Sequence, residues 1–184
     1  MTARARPCTG RAEKKAGETR PSAAGEKYRR TRLVLLALMA ALTLSCASTR
    51  PAPPRPEELD KGRRIAESAT TLVGTPYRYG GDTPAGFDCS GLIRYVYGRF
   101  GYDLPRATGD QIKVGRRMDL EDLLPGDLVF FKVGFWKSLH AGIYIGDGRF
   151  VHAPKSGSQV EAQRLDRGYY QDRYHTARRV IGGF

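Results

Sequence analysis

The sequence predicts an α+β domain: N-terminal helices packed on a mostly antiparallel sheet of about five strands. Two observations support that class. Apolar residues recur at helical spacing as far as Phe100, and from Asp127 onward short β-branched and aromatic runs replace them. Helices gathered in one half and strands in the other is the α+β order, not the alternation of a parallel sheet. No internal repeat is visible.

The elements follow in chain order. Residues 57–72 read as a helix, with acids at its start and Leu59, Ile65, Ala66 and Leu72 on one face. Residues 74–86 are a loop rich in Gly, Pro, Tyr and Thr, in which Tyr79 is expected to pack into the core. Asp88 is placed to cap a helix running from Cys89 to about Phe100. Leu92, Val96 and Phe100 form its inner face, and Gly101 stops it. A short helix fits residues 108–114. Strands are expected over residues 127–133, 141–145, 149–153, 158–162 and 176–181.

The chain of 184 residues holds one such domain behind a leader. Up to Arg32 the leader is basic and polar. Leu33 to Leu44 is apolar and uncharged, too short for a transmembrane helix of about 20 residues but right for a signal-peptide core of about 7–15. Residues 1–46 are therefore expected to be a secretory signal. Its end, Leu42-Thr43-Leu44-Ser45-Cys46, resembles a bacterial lipobox, which makes Cys46 the lipidation site. Ordinary cleavage near Ala47 is the alternative. Residues 47–56 are a proline-rich, extended linker. The domain proper is expected over residues 57–184.

Charge and cysteine usage narrow the function. The leader holds 10 Lys and Arg against 3 Asp and Glu; of the whole chain's 31 and 19, 21 and 16 remain beyond it, a net charge of +5 instead of +12. The basic residues there are scattered among acids, which argues against nucleic acid as a partner. Mild positive charge suits an anionic polymer such as the cell wall. Cys8 lies in the leader and Cys46 at the lipobox, so Cys89 has no partner in the mature domain, and a reactive thiol is the reading. No Cys-x-x-Cys or His-Glu-x-x-His pattern is present, so neither a metal nor another cofactor is expected.

Cys89 stands in Gly-Phe-Asp-Cys-Ser-Gly-Leu-Ile, at the predicted helix start, where the positive end of the helix field favours thiolate. His140 and His152 follow in one segment. A helix-capped cysteine with downstream histidines is the pattern of a nucleophile and its base. His175 has no motif around it and reads as a surface residue.

The two histidines constrain the hairpin between them. Asp147-Gly148 suits a two-residue type I′ turn. With no bulge, that turn pairs Ile143 with His152 and sends the histidines to opposite faces. A shared site requires one extra residue. A three-residue loop over residues 146–148, with Gly148 left-handed in a bulge, supplies it. Gly142 then pairs with His152, His140 stands diagonal to His152 on the same face, and Ile143, Ile145 and Val151 take the other.

Five motifs in order resemble the NlpC family of bacterial cell-wall cysteine peptidases. They are Gly74-Thr-Pro-Tyr-Arg-Tyr-Gly-Gly81, Asp88-Cys-Ser-Gly91, Leu104-Pro-Arg106, Pro125-Gly-Asp-Leu-Val-Phe-Phe131 and the segment from His140 to His152. The resemblance covers the chain from about residue 65 to its end. It implies a small papain-like fold and a peptidoglycan endopeptidase acting on wall stem peptides without a cofactor. Cys89 matches the nucleophile, His140 the general base and His152 the residue that orients the base. Tyr77 matches an oxyanion-hole tyrosine. Asp88 and Ser90 match substrate-contacting positions, and Arg106, after Leu-Pro, is a further substrate-binding candidate. With a lipid at Cys46, the expectation is a monomer anchored to the outer membrane and facing the periplasm. Another papain-like wall amidase or acyltransferase, or a non-catalytic wall-binding lipoprotein, are the alternatives.

Overall fold

The computed structural model describes residue 32, residues 53–134 and residues 138–182. The apolar run, Cys46 and most of the linker lie outside the described residues. Among the described residues no helix is long and apolar enough to cross a membrane. The elements below belong to the unit Ala52–Phe184.

Helix α1 spans Pro56–Thr70, with proline in its first turn, where a missing N–H costs nothing. It buries Gly62, Ile65, Ala66 and Ala69, a spacing of three and four that turns one stripe inward. A two-stranded ribbon follows, β1 (Asp82–Thr83) and β2 (Gly86–Phe87). Helix α2 spans Cys89–Gly98, and Asp88 caps it by accepting the Gly91 N–H at 2.7 Å. Helix α3 is one turn, Thr108–Gln111, shorter than expected because the chain turns at Ile112 toward a strand. The strands β3 (Arg116–Met118), β4 (Leu128–Val133), β5 (Ser138–Gly146), β6 (Arg149–His152), β7 (Glu161–Arg164) and β8 (Tyr174–Arg179) form one sheet in the order β3-β8-β4-β5-β6-β7. Each neighbouring pair in that order is antiparallel.

Strand alternation sorts the core into two clusters. Leu128, Phe130, Ala141, Ile143 and Val151 meet the inner faces of both long helices: Ile65 and Ala69 of α1, and Leu92, Ile93 and Val96 of α2. Val129, Phe131, Phe150 and Ala177 point the other way, and Tyr170 and Tyr174 pack against them. A buried ion pair closes the lower end of the sheet. The Arg179 guanidinium donates to both Asp127 carboxylate oxygens, at 2.8 and 2.7 Å, and the same carboxylate accepts the Leu124 N–H at 2.8 Å.

Four expectations are corrected. The sheet has six strands, because Arg116–Met118 pairs with β8 as an edge strand too short and too polar to show a pattern. The strand placed at residues 158–162 begins at Glu161 instead. Upstream of it Gln159 makes only an isolated bridge to Pro76, which holds the tyrosine loop against this edge. Tyr79 is 88 % exposed, since the loop turns at Gly80 and puts Tyr79 outside, while Tyr77 goes inward. The hairpin turn is the two-residue one after all: Gly146 pairs with Arg149, with φ of 51° at Asp147 and 65° at Gly148. The extra residue is Ile145, bulged between the Tyr144–Phe150 and Gly146–Arg149 pairs. Below the bulge Ile143 pairs with Val151, so parity is restored and the histidines share a face.

Candidate active site

The α2 N-terminus is built around Asp88. Its carboxylate accepts from the N–H groups of Gly91 (2.7 Å) and Gly80 (3.0 Å), from the Ser90 hydroxyl (3.1 Å) and from two Arg106 nitrogens (2.9 and 2.6 Å). Arg106 also donates to Ser90 Oγ at 2.8 Å. Burial acts to raise the Asp88 pKa, but the Arg106 hydrogen bonds and the cap outweigh it and hold the carboxyl below the usual range. Three predicted substrate-contact residues, Asp88, Ser90 and Arg106, thus hold one another. The first consequence of that network is a fixed helix start and a fixed Cys89.

Cys89 is half-buried and is a free thiol. Its sulfur lies 3.6 Å from the Thr108 hydroxyl, and the backbone N–H groups of Ala141 and Ser90 favour its charged form. The expectation of a lowered thiol pKa is corrected. Burial pushes the Cys89 pKa up and the Asp88 charge adds to it; together these outweigh the hydrogen bonds from Thr108, Ala141 and Ser90. The resting group is a thiol.

His140 and His152 meet through Nε2 and Nδ1 at 2.8 Å, with ring planes at 81°. His140 is 6 % exposed and His152 is fully buried. Burial lowers the His140 pKa to about 4; burial and the neighbouring His140 lower that of His152 to about 3. Both imidazoles are neutral near pH 7. Phe131 and Phe150 pack beside them, and the Tyr170 ring lies across the pair, stacked on His140 and edge-on to His152.

Tyr77 is half-buried and forms a bridge with Phe87, just ahead of α2. Burial raises the pKa of its phenol, and the Cys89 and Asp88 charges raise it further. His175 is exposed, as expected for a residue outside the site. Sequence reasoning missed Thr108, Tyr170 and Glu161. Thr108 had a signal, two residues after Leu104-Pro-Arg106. Tyr170 and Glu161 had none, because they reach the site from a 3₁₀ turn (Gly168–Arg173) and an edge strand.

Helices packed on an antiparallel sheet, with a free thiol at the start of α2 and a buried imidazole pair on β5 and β6, make a papain-like α+β domain. The chain belongs to the NlpC/P60 family, whose sequence profile matches residues 74–179. Among its relatives, the probable endopeptidase NlpC of Escherichia coli K12 is 40% identical over 157 residues, 79% of this chain and 97% of that protein. Murein DD-endopeptidase MepS/murein LD-carboxypeptidase of the same strain is 40% identical over 67% of this chain and 65% of its own length. The gamma-D-glutamyl-L-lysine dipeptidyl-peptidase of Bacillus subtilis is 36% identical over 64% of this chain, which spans 40% of that enzyme. A Bacillus cereus NlpC/P60 family crystal structure superposes with a TM-score of 0.61 at 34% identity, over 71% of this chain and 41% of that one. Family and relatives together support a peptidase hydrolase.

Proposed function

We propose that the protein is a cysteine-type endopeptidase of peptidoglycan stem peptides that works through Cys89, His140 and His152. One observation carries this reading: the buried imidazole pair, bonded at 2.8 Å, joins β6 to β5, and β5 is the strand against which the helix that begins at Cys89 packs. His152 occupies Nε2 of His140, which leaves His140 Nδ1 to take the thiol proton. Burial disfavours an isolated thiolate and an isolated imidazolium alike, so the proton moves as the sulfur attacks, and the two charges arise as a pair. The sulfur bonds to the carbonyl carbon. The oxyanion is met by the Cys89 backbone N–H at the α2 start and by the Tyr77 hydroxyl. His140 returns the proton to the leaving amine, and a thioester remains. Water, deprotonated by His140, then attacks the thioester carbon; the C–S bond breaks, the acid leaves, and His140 returns the proton to the Cys89 sulfur. Asp88, Ser90 and Arg106 line the approach to the helix start and contact the stem peptide there. No cofactor takes part.

The relatives support this substrate: two of them are named for murein and for a gamma-D-glutamyl-L-lysine bond. The lipobox-like Cys46 and the proline-rich linker support a lipid-anchored monomer tethered at the outer membrane and facing the periplasmic wall. The deciding experiment is digestion of purified peptidoglycan with mass spectrometry of the muropeptides. Wild type releases fragments cut within stem peptides; Cys89→Ala, still folded by circular dichroism, releases none. Fragments cut between the sugar and L-alanine would make it an amidase, and a Cys89→Ala variant above about a tenth of wild-type activity would overturn the nucleophile. Labelled fatty acid incorporated by wild type and lost in Cys46→Ala tests the anchor; an unmodified N-terminus at Ala47 rejects it.

A further inference from the structure

We infer that Glu161 is a positioning residue for the histidine pair, its carboxylate receiving the His152 Nε2–H and balancing the positive charge that forms on the pair. The inference rests on the proposed roles of Cys89, His140 and His152.

The placement of protons leads to it. A neutral imidazole carries one N–H. His140 accepts the thiol proton at Nδ1 only if its own proton is on Nε2. That Nε2–H then donates to His152 Nδ1, 2.8 Å away. His152 must therefore carry its proton on Nε2. This atom is fully buried and forms no hydrogen bond in the resting geometry. A buried N–H left without an acceptor costs about 1–3 kcal/mol. The acceptor within reach is Glu161 Oε1, at 3.5 Å, an ion-pair distance that closes to a hydrogen bond with a small rotation of the side chain. Pairing sets the two residues opposite each other, since His152 of β6 is the direct partner of Glu161 of β7. Gln163 Nε2 donates to the same Glu161 oxygen at 3.3 Å and steadies it from the outside.

The distribution of charge adds a second reason. When His140 takes the proton, the imidazolium is shared through the 2.8 Å bond, and its positive end reaches His152 Nε2–H. Among the described residues, the ionisable groups seen against the pair are Glu161 from β7 and Tyr170 from the 3₁₀ turn, and Cys89 from α2 acts on Tyr170; β4 contributes Phe131 and β6 Phe150, both uncharged. Tyr170 is a neutral phenol whose pKa burial drives up, with the Glu161 and Cys89 charges adding to the shift. Glu161 is the standing negative charge of this set. Its side chain is 40% exposed, so its field is screened and its effect is tuning.

The test measures pH profiles of peptidoglycan hydrolysis for wild type, Glu161→Ala and Glu161→Gln. In Glu161→Ala, kcat falls about tenfold with KM unchanged, well short of the loss at a fully buried orienting carboxylate. The acid limb moves to lower pH, because the imidazolium has lost its counter-charge. Glu161→Gln keeps an acceptor for Nε2–H, so it recovers part of kcat and leaves the limb shifted. An unchanged kcat, or a loss without movement of the limb, overturns the inference. A readout without turnover separates this from failure of the endopeptidase reading: nitrogen-15 imidazole spectra of full-length Cys89→Ala with and without Glu161→Ala. The expected result is His152 protonated at Nε2, with that resonance moved by the second substitution. Protonation at Nδ1, or no movement, refutes the role of Glu161 whatever the enzyme cleaves.

Discussion

Gly91 shows how backbone packing places the nucleophile. Replacing it by alanine ought to help the helix, since alanine is favoured over glycine in a helix by about 1 kcal/mol. The tertiary structure opposes this. A Cβ at Gly91 would overlap the Gly81 carbonyl oxygen, and would lie 3.0 Å from the Gly81 carbonyl carbon and 3.1 Å from Asp82 Cα. All three are backbone atoms. The Gly81 oxygen is also tied down, because it accepts the Asp88 N–H at 3.0 Å and faces Arg106 Nη2 at 3.4 Å. Restoring an ordinary contact of about 3.5 Å requires the helix and loop to part by more than about 1 Å. Overpacking of this kind costs roughly 1–3 kcal/mol, so the clash outweighs the propensity gain. Cys89 moves with the helix start, and a misplacement of about 1 Å costs on the order of a hundredfold in rate. Gly98→Ala is the control. It lies in the same helix with nothing within 4 Å of its Cβ, and should gain roughly 0.4–1 kcal/mol with full activity. Urea unfolding and muropeptide release measure both variants. A Gly91→Ala protein as stable and as active as wild type would refute the reasoning.

Two further outcomes follow from buried charge. Because burial lowers both histidine pKa values, to about 4 and about 3, the unfolded chain binds more protons below its ordinary histidine pKa of about 6.5. Their contribution to stability is complete above about pH 6.5 and is lost as pH falls toward the folded values, by up to about 1.4 kcal/mol per unit and group. Melting temperature should therefore drop between pH 6.5 and 4, and less steeply in His152→Asn; equal slopes would show that the pair is not responsible. Asp127→Ala leaves the Arg179 guanidinium buried and unpaired, with an expected loss of about 3–5 kcal/mol in urea unfolding. A loss below about 1 kcal/mol would mean that water reaches the guanidinium.

The sequence by itself determined what depends on near neighbours along the chain. Helical spacing and the Asp88 cap located α2 and put Cys89 at its start, because caps and periodicity are local properties. Parity along a strand showed that His140 and His152 share a face only if one extra residue enters the hairpin. Where that residue goes was decided by the fold. Asp147 tolerates a left-handed conformation, so the tight turn forms and the bulge falls at Ile145 instead of Gly148. The thiol tells the same story on the side of electrostatics. Its place at a helix N-terminus is visible in the sequence, yet burial against β5, a contact some fifty residues distant, reverses the direction of its pKa shift. Tyr170 and Glu161 enter the site from a 3₁₀ turn and an edge strand, and no spacing relates them to Cys89. Distance through space, and the exclusion of water that comes with it, exist only once the strands have paired.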